Sequence, residues 1–201
     1  MQLIADGLAA ERSGEIVVAD ISFALDGGEA LIVTGANGSG KSTLLRVVAG
    51  LLPPAAGSVR VEGANQGAGI AELSHYLGHK NALKPALTVT ENLAFWRDFA
   101  GEPHLAIADA LDMVGLSATA ALPYGYLSTG QRRRIAIARL LVSYRPIWLL
   151  DEPTAGLDAD SEAGFAELMG AHLDDGGIIV AATHQPLGLD GAAELKLEAA
   201  R

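Results

Sequence analysis

Ala30-Leu31-Ile32-Val33-Thr34-Gly35-Ala36-Asn37-Gly38-Ser39-Gly40-Lys41-Ser42 runs from an unbroken apolar segment into a glycine-rich turn that ends on a lysine and a hydroxyl. The apolar run Ala30–Thr34 is the pattern of a strand buried on both faces. After the turn, Leu44, Leu45, Val47, Val48 and Leu51 fall close to helical spacing, and Pro53-Pro54 ends the pattern, which predicts a helix over Ser42–Leu52. Gly35-Ala36-Asn37-Gly38-Ser39-Gly40-Lys41-Ser42 fits G-x-x-x-x-G-K-[ST], the phosphate-binding P-loop, in the strand–loop–helix setting that gives the motif its meaning. Glycines let successive N–H groups turn inward around phosphate oxygens, and the helix N-terminus adds partial positive charge. Lys41 is placed for the β- and γ-phosphates, Ser42 for Mg²⁺, and Thr43 completes the nucleotide-binding set.

Outward from this turn, Ile147-Trp148-Leu149-Leu150 leads into Asp151-Glu152, which reads as a buried strand delivering two acids at its carboxyl end. That is where open α/β sheets bind ligands. Asp151 would hold Mg²⁺ through its water shell, and Glu152 would polarise an attacking water, since phosphoryl transfer rests on positioning and charge compensation. Further strands are predicted at Gln2–Ala5, Glu15–Val18, Ile21–Leu25, Ser58–Glu62, Ile178–Ala182 and Glu194–Glu198. Helices are predicted at Thr90–Phe99, Leu105–Val114, Ser128–Val142 and Asp160–Leu173.

The chain has 201 residues, half of them hydrophobic, which is enough for one well-cored domain with a small inserted lobe. It has no cysteine, which excludes disulfides and thiolate metal sites. A net charge of −10 argues against nucleic acid as a partner, because counterion displacement needs a basic patch. No apolar run reaches the length of a membrane span, and the first residues lack the pattern of a signal peptide, so the protein is expected to stay in the compartment where it is made.

Three further segments narrow the class. Leu127-Ser128-Thr129-Gly130-Gln131 stands before the Asp151-Glu152 pair with Ser128 as a natural N-cap. Thr154-Ala155-Gly156-Leu157-Asp158 follows the acids, and Ala182-Thr183-His184 ends a later strand. Together these resemble the signature, D-loop and switch histidine of the ABC ATPases, and the likeness extends over essentially the whole chain. The resemblance implies an α/β fold with a P-loop NTPase (RecA-like) core, an antiparallel β subdomain and an inserted helical subdomain. It also implies a single domain over 1–201, with its core in about 1–87 and 145–201 and its insert in about 88–144. ATP and Mg²⁺ are the expected ligands. The family pairs head to tail, so the signature of a second copy, Ser128 and Gly130 above all, would meet the γ-phosphate held by the P-loop of the first. His184 would hold the γ-phosphate and the attacking water, and Asp158 would tie the two sites together.

Two positions depart from the family pattern. Its Q-loop glutamine is replaced by His79, whose imidazole suits a hard metal poorly but can hydrogen-bond a metal-bound water. The alternative reading is that His79 only packs in a loop. No aromatic residue stands in Asp6–Asp20 to stack on adenine, and Arg12 is the substitute through its planar guanidinium.

Within the family, Gly78-His79-Lys80-Asn81-Ala82-Leu83-Lys84, the Glu91-Asn92-Leu93-x-Phe95-Trp96 stretch and Thr183-His184-Gln185-Pro186-Leu187 are similar to the CcmA branch, the cytochrome c maturation ATPases. That likeness implies a haem-export role with an integral membrane subunit and haem-handling maturation proteins, at the cytoplasmic face of a bacterial inner membrane. The five histidines are scattered, and no haem-ligating motif is visible in this subunit. The alternatives are a transporter ATPase for another cargo, or a soluble ABC ATPase acting on ribosomes or DNA. The single cassette, compact insert and negative charge favour the transporter.

Overall fold

The computed structural model describes residues 1–64 and 68–198. Contacts divide the chain into two compact units, one of Met1–Gly78, Pro146–Pro153 and Met169–Arg201, the other of His79–Arg145 and Thr154–Leu168.

The first unit contains two sheets. Strands β1 (Gln2–Arg12), β2 (Glu15–Asp26) and β4 (Ala56–Glu62) form an antiparallel sheet in the order β2-β1-β4. Strands β3 (Ala30–Gly35), β5 (Ser74–Leu77), β6 (Ile147–Asp151), β7 (Ile178–Ala182) and β8 (Ala193–Leu197) form a parallel sheet in the order β5-β6-β7-β3-β8. β6 and β7 are buried at every residue, which is why they read as continuous apolar runs. Helix α1 (Lys41–Val48) buries Leu44, Leu45, Val47 and Val48 and touches both sheets. One apolar core joins Leu3, Leu8, Val18, Leu31, Val33, Leu45, Leu149 and Val180.

Several boundaries differ from the sequence expectation; β1, expected at Gln2–Ala5, runs on to Arg12 through register shifts in its pairing with β2 and β4. The two predicted strands at Glu15–Val18 and Ile21–Leu25 are one strand, β2, because the chain passes Asp20 at φ 56 and resumes pairing with β1 after a register shift. α1 stops at Val48 rather than Leu52, since Gly50 takes φ 69 and closes the helix behind Ala49. The short helix α2 (Ile70–Leu73) and strand β5 were not legible, because β5 carries the polar His75, buried to 7% exposure, where an apolar residue would mark a parallel strand. The helix predicted from Leu105 begins at Ile107.

The second unit is mainly helical. It contains α3 (Val89–Ala100), α4 (Ile107–Met113), two 3-10 turns at Ser117–Thr119 and Tyr124–Tyr126, and α5 (Thr129–Leu141). Helix α6 (Ala159–Asp174) starts in this unit and ends in the first. α3 opens on a capping box: the Thr88 hydroxyl accepts from the Glu91 amide and the Glu91 carboxylate accepts from the Thr88 amide at 2.7 Å. These bonds hold the Glu91 carboxyl below the usual range. α5 opens the same way through Ser128 and Gln131. Among the described residues, no helix is long and apolar enough to cross a membrane.

Candidate nucleotide-binding site

β6, β7 and β3 are neighbours in the parallel sheet, so their carboxyl ends bring Asp151, the Thr183-His184 turn and the Gly35–Ser42 loop to one edge. The loop is held in a fixed shape. Gly35 has φ 143, and a methyl group there would lie 2.5 Å from the Leu197 carbonyl oxygen and 2.8 Å from Ser39 Oγ. Gly38 and Gly40 also have positive φ, and the Ser39 amide donates to the Ala36 carbonyl. Gly40 precedes α1, so the first amides of that helix, from Lys41 to Thr43, face the loop without intrahelical acceptors.

The side chains converge on the same edge. The buried Lys41 ammonium donates to the Gly35 and Ala36 carbonyls at 2.6 and 3.2 Å and lies 3.0 Å from His184 Nε2. Ser42 Oγ donates to Asp151 Oδ1 at 2.9 Å, and Asp151 is 1% exposed. His184 Nε2 also lies 3.0 Å from Asn37 Oδ1 and 3.7 Å from Glu152 Oε1. One ring nitrogen serves only one of these neighbours at a time. The unprotonated nitrogen accepts from Lys41, and the N–H tautomer donates to Asn37 Oδ1, with Glu152 just beyond hydrogen-bond distance. Glu152 stands at φ 46, an uncommon backbone for a non-glycine residue, fixed by its amide donating to the Ala182 carbonyl at 2.8 Å.

Tyr76 is a neighbour of Asp151 that sequence reading did not find. Its hydroxyl donates to Asp151 Oδ2 at 3.3 Å and accepts from Arg46 Nε at 3.4 Å. Burial raises the phenol pKa from 10.0; the Arg46 bond lowers it and the Asp151 charge raises it, so Tyr76 remains a donor. The pairing of Leu77 with Leu150 puts β5 beside β6, and that long-range register had no signature in the sequence.

Ser39 Oγ is buried with no partner among the described residues. Beside it is a cleft of about 350 Å³ lined by Ile16, Val17, Val18, Ala19, Ile21, Ser39, Lys196, Leu197 and Glu198. Arg12 sits exposed at the end of β1, opposite Glu15, and is not among the residues lining that cleft.

The remaining candidates lie in the second unit. Leu127 is buried, and Ser128, Thr129, Gly130 and Gln131 form the capped start of α5. A methyl on Gly130 would lie 3.0 Å from the Gly156 carbonyl oxygen, and Gly156 has φ +81, so the α5 start and the Thr154–Asp158 turn pack directly on each other. Asp158 accepts from the Ser161 amide at 2.9 Å, and its bonds to Ser161 hold its pKa down. His79 follows β5 on an exposed segment.

The donor set fits a nucleotide phosphate: a buried cation, the unpaired first amides of α1 behind a glycine-rich turn, and an unpartnered buried hydroxyl. It also fits Mg²⁺, which takes one or two protein oxygens and completes its shell with phosphate and water; Ser42 Oγ and the Asp151 carboxylate offer two such oxygens side by side.

Comparison with known proteins agrees with this geometry. Residues 18–155 match the model of the ABC transporter family. The cytochrome c biogenesis ATP-binding export protein CcmA of Chelativorans sp. (strain BNC1) is 63% identical over 99% of both chains. Its namesake in Brucella abortus (strain 2308) is 57% identical over 96% of this chain and 89% of its own. Two solved structures share the fold. A putative ABC transporter ATP-binding protein from Pyrococcus furiosus has a TM-score of 0.83 at 23% identity over 98% of both chains. An ATP-binding cassette solved as a dimer in a post-hydrolysis state with ADP and phosphate has a TM-score of 0.82 at 24% identity, over 99% of this chain and 97% of its own. The α/β fold with a parallel P-loop sheet and a separate antiparallel sheet is therefore that of an ABC ATPase, and the chain belongs to the ATP-binding subunits of the ABC transporter family, in the branch of the cytochrome c biogenesis export proteins.

Proposed function

We propose that this chain is the ATP-hydrolysing subunit of a transporter for cytochrome c biogenesis, exporting haem or releasing it to a haem chaperone. The observation that carries the chemistry is the convergence of Lys41, Ser42, Asp151, Glu152 and His184 on three adjacent strand ends. The loop amides of 35–43 and the Lys41 ammonium bind the β- and γ-phosphates, and Lys41 exchanges its carbonyl partners for phosphate oxygens. Ser42 and Asp151 hold Mg²⁺, which supplies charge compensation on the transferring phosphoryl group when bound. Glu152 orients the attacking water and takes up its proton. His184, close enough to Glu152 to share that water, donates toward the γ-phosphate. The base lies outside the cleft beside Ser39, where the exposed Arg12 at the end of β1 stacks on it.

The catalytic cassette spans the whole chain, with its helical insert in about 88–144. It acts as a head-to-tail pair in which Ser128, Thr129 and Gly130 of a second copy complete each site and Asp158 lies between the two sites. His79 acts through a metal-bound water. An integral membrane subunit holds the pair at the cytoplasmic face of the inner membrane, where haem-handling maturation proteins receive its output. Nucleic acid is not a partner.

The test is Glu152→Gln in the assembled membrane complex. Nucleotide binding is retained and turnover falls by at least the ~10²-fold expected for loss of a general base. Wild-type turnover in that variant refutes the catalytic assignment. Co-purification of the complex from native membranes with no haem-handling protein refutes the cargo.

A further inference from the structure

We infer that Asn81 is a positioning residue for the signature segment Leu127–Gln131, and that ATP-driven pairing of two copies depends on it. The inference rests on the cassette reading above.

The Asn81 amide grips both flanks of that segment. Its Nδ2 donates to Tyr124 Oη at 3.0 Å, in the 3-10 turn just before Leu127, and its Oδ1 accepts from Arg133 Nη1 at 3.2 Å, just after Gln131. Tyr124 and Arg133 are each 5% exposed, so both bonds are shielded from water, where a hydrogen bond counts for more. A neutral amide is suited to this place because it donates to one partner and accepts from the other at once. Arg132 closes the same bracket from the helix side by donating to the Gly125 carbonyl, with its guanidinium 5.6 Å from the Tyr124 ring centroid.

Asn81 is itself immobilised. The next residue, Ala82, takes φ 55, and its carbonyl accepts from Trp96 Nε1 at 2.9 Å. Asn92, 2% exposed, clasps the segment that follows: its Oδ1 accepts from the Lys84 amide at 2.8 Å, and its Nδ2 reaches the carbonyls of Lys84, Leu87 and Thr88. The stretch from Asn81 to Thr88 is thereby fastened to α3, and Asn81 carries that attachment to the start of α5. A displacement of the segment that follows His79 therefore reaches Ser128 and Gly130 through the Asn81 side chain, alongside the backbone bonds from the Tyr124 amide to Leu87 and from the Gly125 amide to Pro85.

The experiment uses the full chain carrying Glu152→Gln, with ATP-dependent dimerisation followed by sedimentation. Asn81→Ala should weaken dimerisation by at least about tenfold, because pairing must then order a signature segment that Asn81 no longer holds in each subunit. ATP affinity of the monomer should be unchanged, and the melting temperature without nucleotide should fall by only about 2–4 °C, the shift expected for roughly one hydrogen bond. Asn81→Asp should retain dimerisation, because a carboxylate still accepts from Arg133 and takes the Tyr124 hydroxyl as donor. Dimerisation of Asn81→Ala equal to the Glu152→Gln parent overturns the inference and leaves the cassette reading standing. Equal loss in Asn81→Ala and Asn81→Asp, or a fall in melting temperature that accounts for the loss, shows a structural role and overturns it as well. A parent that stays monomeric in ATP overturns the cassette reading, and the inference with it.

Discussion

Gly35→Ala separates two costs that the P-loop combines, and Gly38→Ala is its control. At Gly38, φ is +86 and a methyl would meet nothing within 4 Å, so that substitution carries backbone strain alone, about 1–2 kcal/mol. At Gly35, φ is +143 and the methyl would lie 2.5 Å from the Leu197 carbonyl oxygen. That oxygen belongs to β8, whose pairing with β3 ends at Gly35↔Leu197, so it cannot swing aside as a side chain would. Strain of about 1–3 kcal/mol and an overpacking cost of about 1–3 kcal/mol then act together, roughly 2–6 kcal/mol in all. This is a large part of the ~5–15 kcal/mol that holds a domain folded. With a urea slope of about 2–3 kcal/mol per molar, the unfolding midpoint should fall by roughly 0.7–3 M. Urea titration followed by circular dichroism reads it directly. A midpoint for Gly35→Ala no lower than that of Gly38→Ala refutes the steric argument and with it the placement of β8 against the loop.

Ser128→Ala removes the side-chain cap of α5 and should cost about 1 kcal/mol, measurable by thermal unfolding, while Ser128→Asn should recover most of it. Tyr76→Phe should flatten part of the alkaline limb of stability. The folded-state phenol is raised above 10.0, mainly by burial, so above that pH the unfolded chain loses its proton first and stability falls as pH rises further. Tyr124 is shifted in the same direction by burial, so urea midpoints between about pH 8 and 11 should show a reduced slope rather than none. Arg12→Ala should weaken ATP binding by roughly 0.5–2 kcal/mol, the range of a cation–π contact, and wild-type protein should let GTP compete appreciably. Unchanged ATP affinity in a competition titration refutes stacking by Arg12.

Much of the site could be read in the sequence because its parts sit at the ends of strands buried on both faces. β3, β6 and β7 are continuous apolar runs, and Gly35–Ser42, Asp151-Glu152 and His184 follow them without intervening elements. The capped start of α5 was equally legible, since Ser128 and Gln131 satisfy each other within one turn. What sequence could not give was pairing between distant segments. Tyr76 reaches Asp151 only because β5 adopts a register beside β6, and the close approach of Gly130 to Gly156 joins two motifs whose separation in sequence gives no hint of contact. β2 was divided at Asp20 for a related reason: a bulge at positive φ looks like a turn unless the partner strand is known.

The strand order has a consequence for how the protein is made. β3 emerges early, but its two sheet neighbours are β7 and β8, near the other end of the described chain, and the Thr34 hydroxyl bonds to Glu194, 160 residues away. Contacts of such long range close slowly, because the intervening chain must first be ordered. A nascent chain on the ribosome therefore carries its complete P-loop sequence well before it has the strands that hold the loop in shape. Until β7 and β8 leave the exit tunnel, β3 presents both edges unpaired. Synthesis from Gly35 to Leu197 is then the interval in which the protein is most open to aggregation and to capture by chaperones.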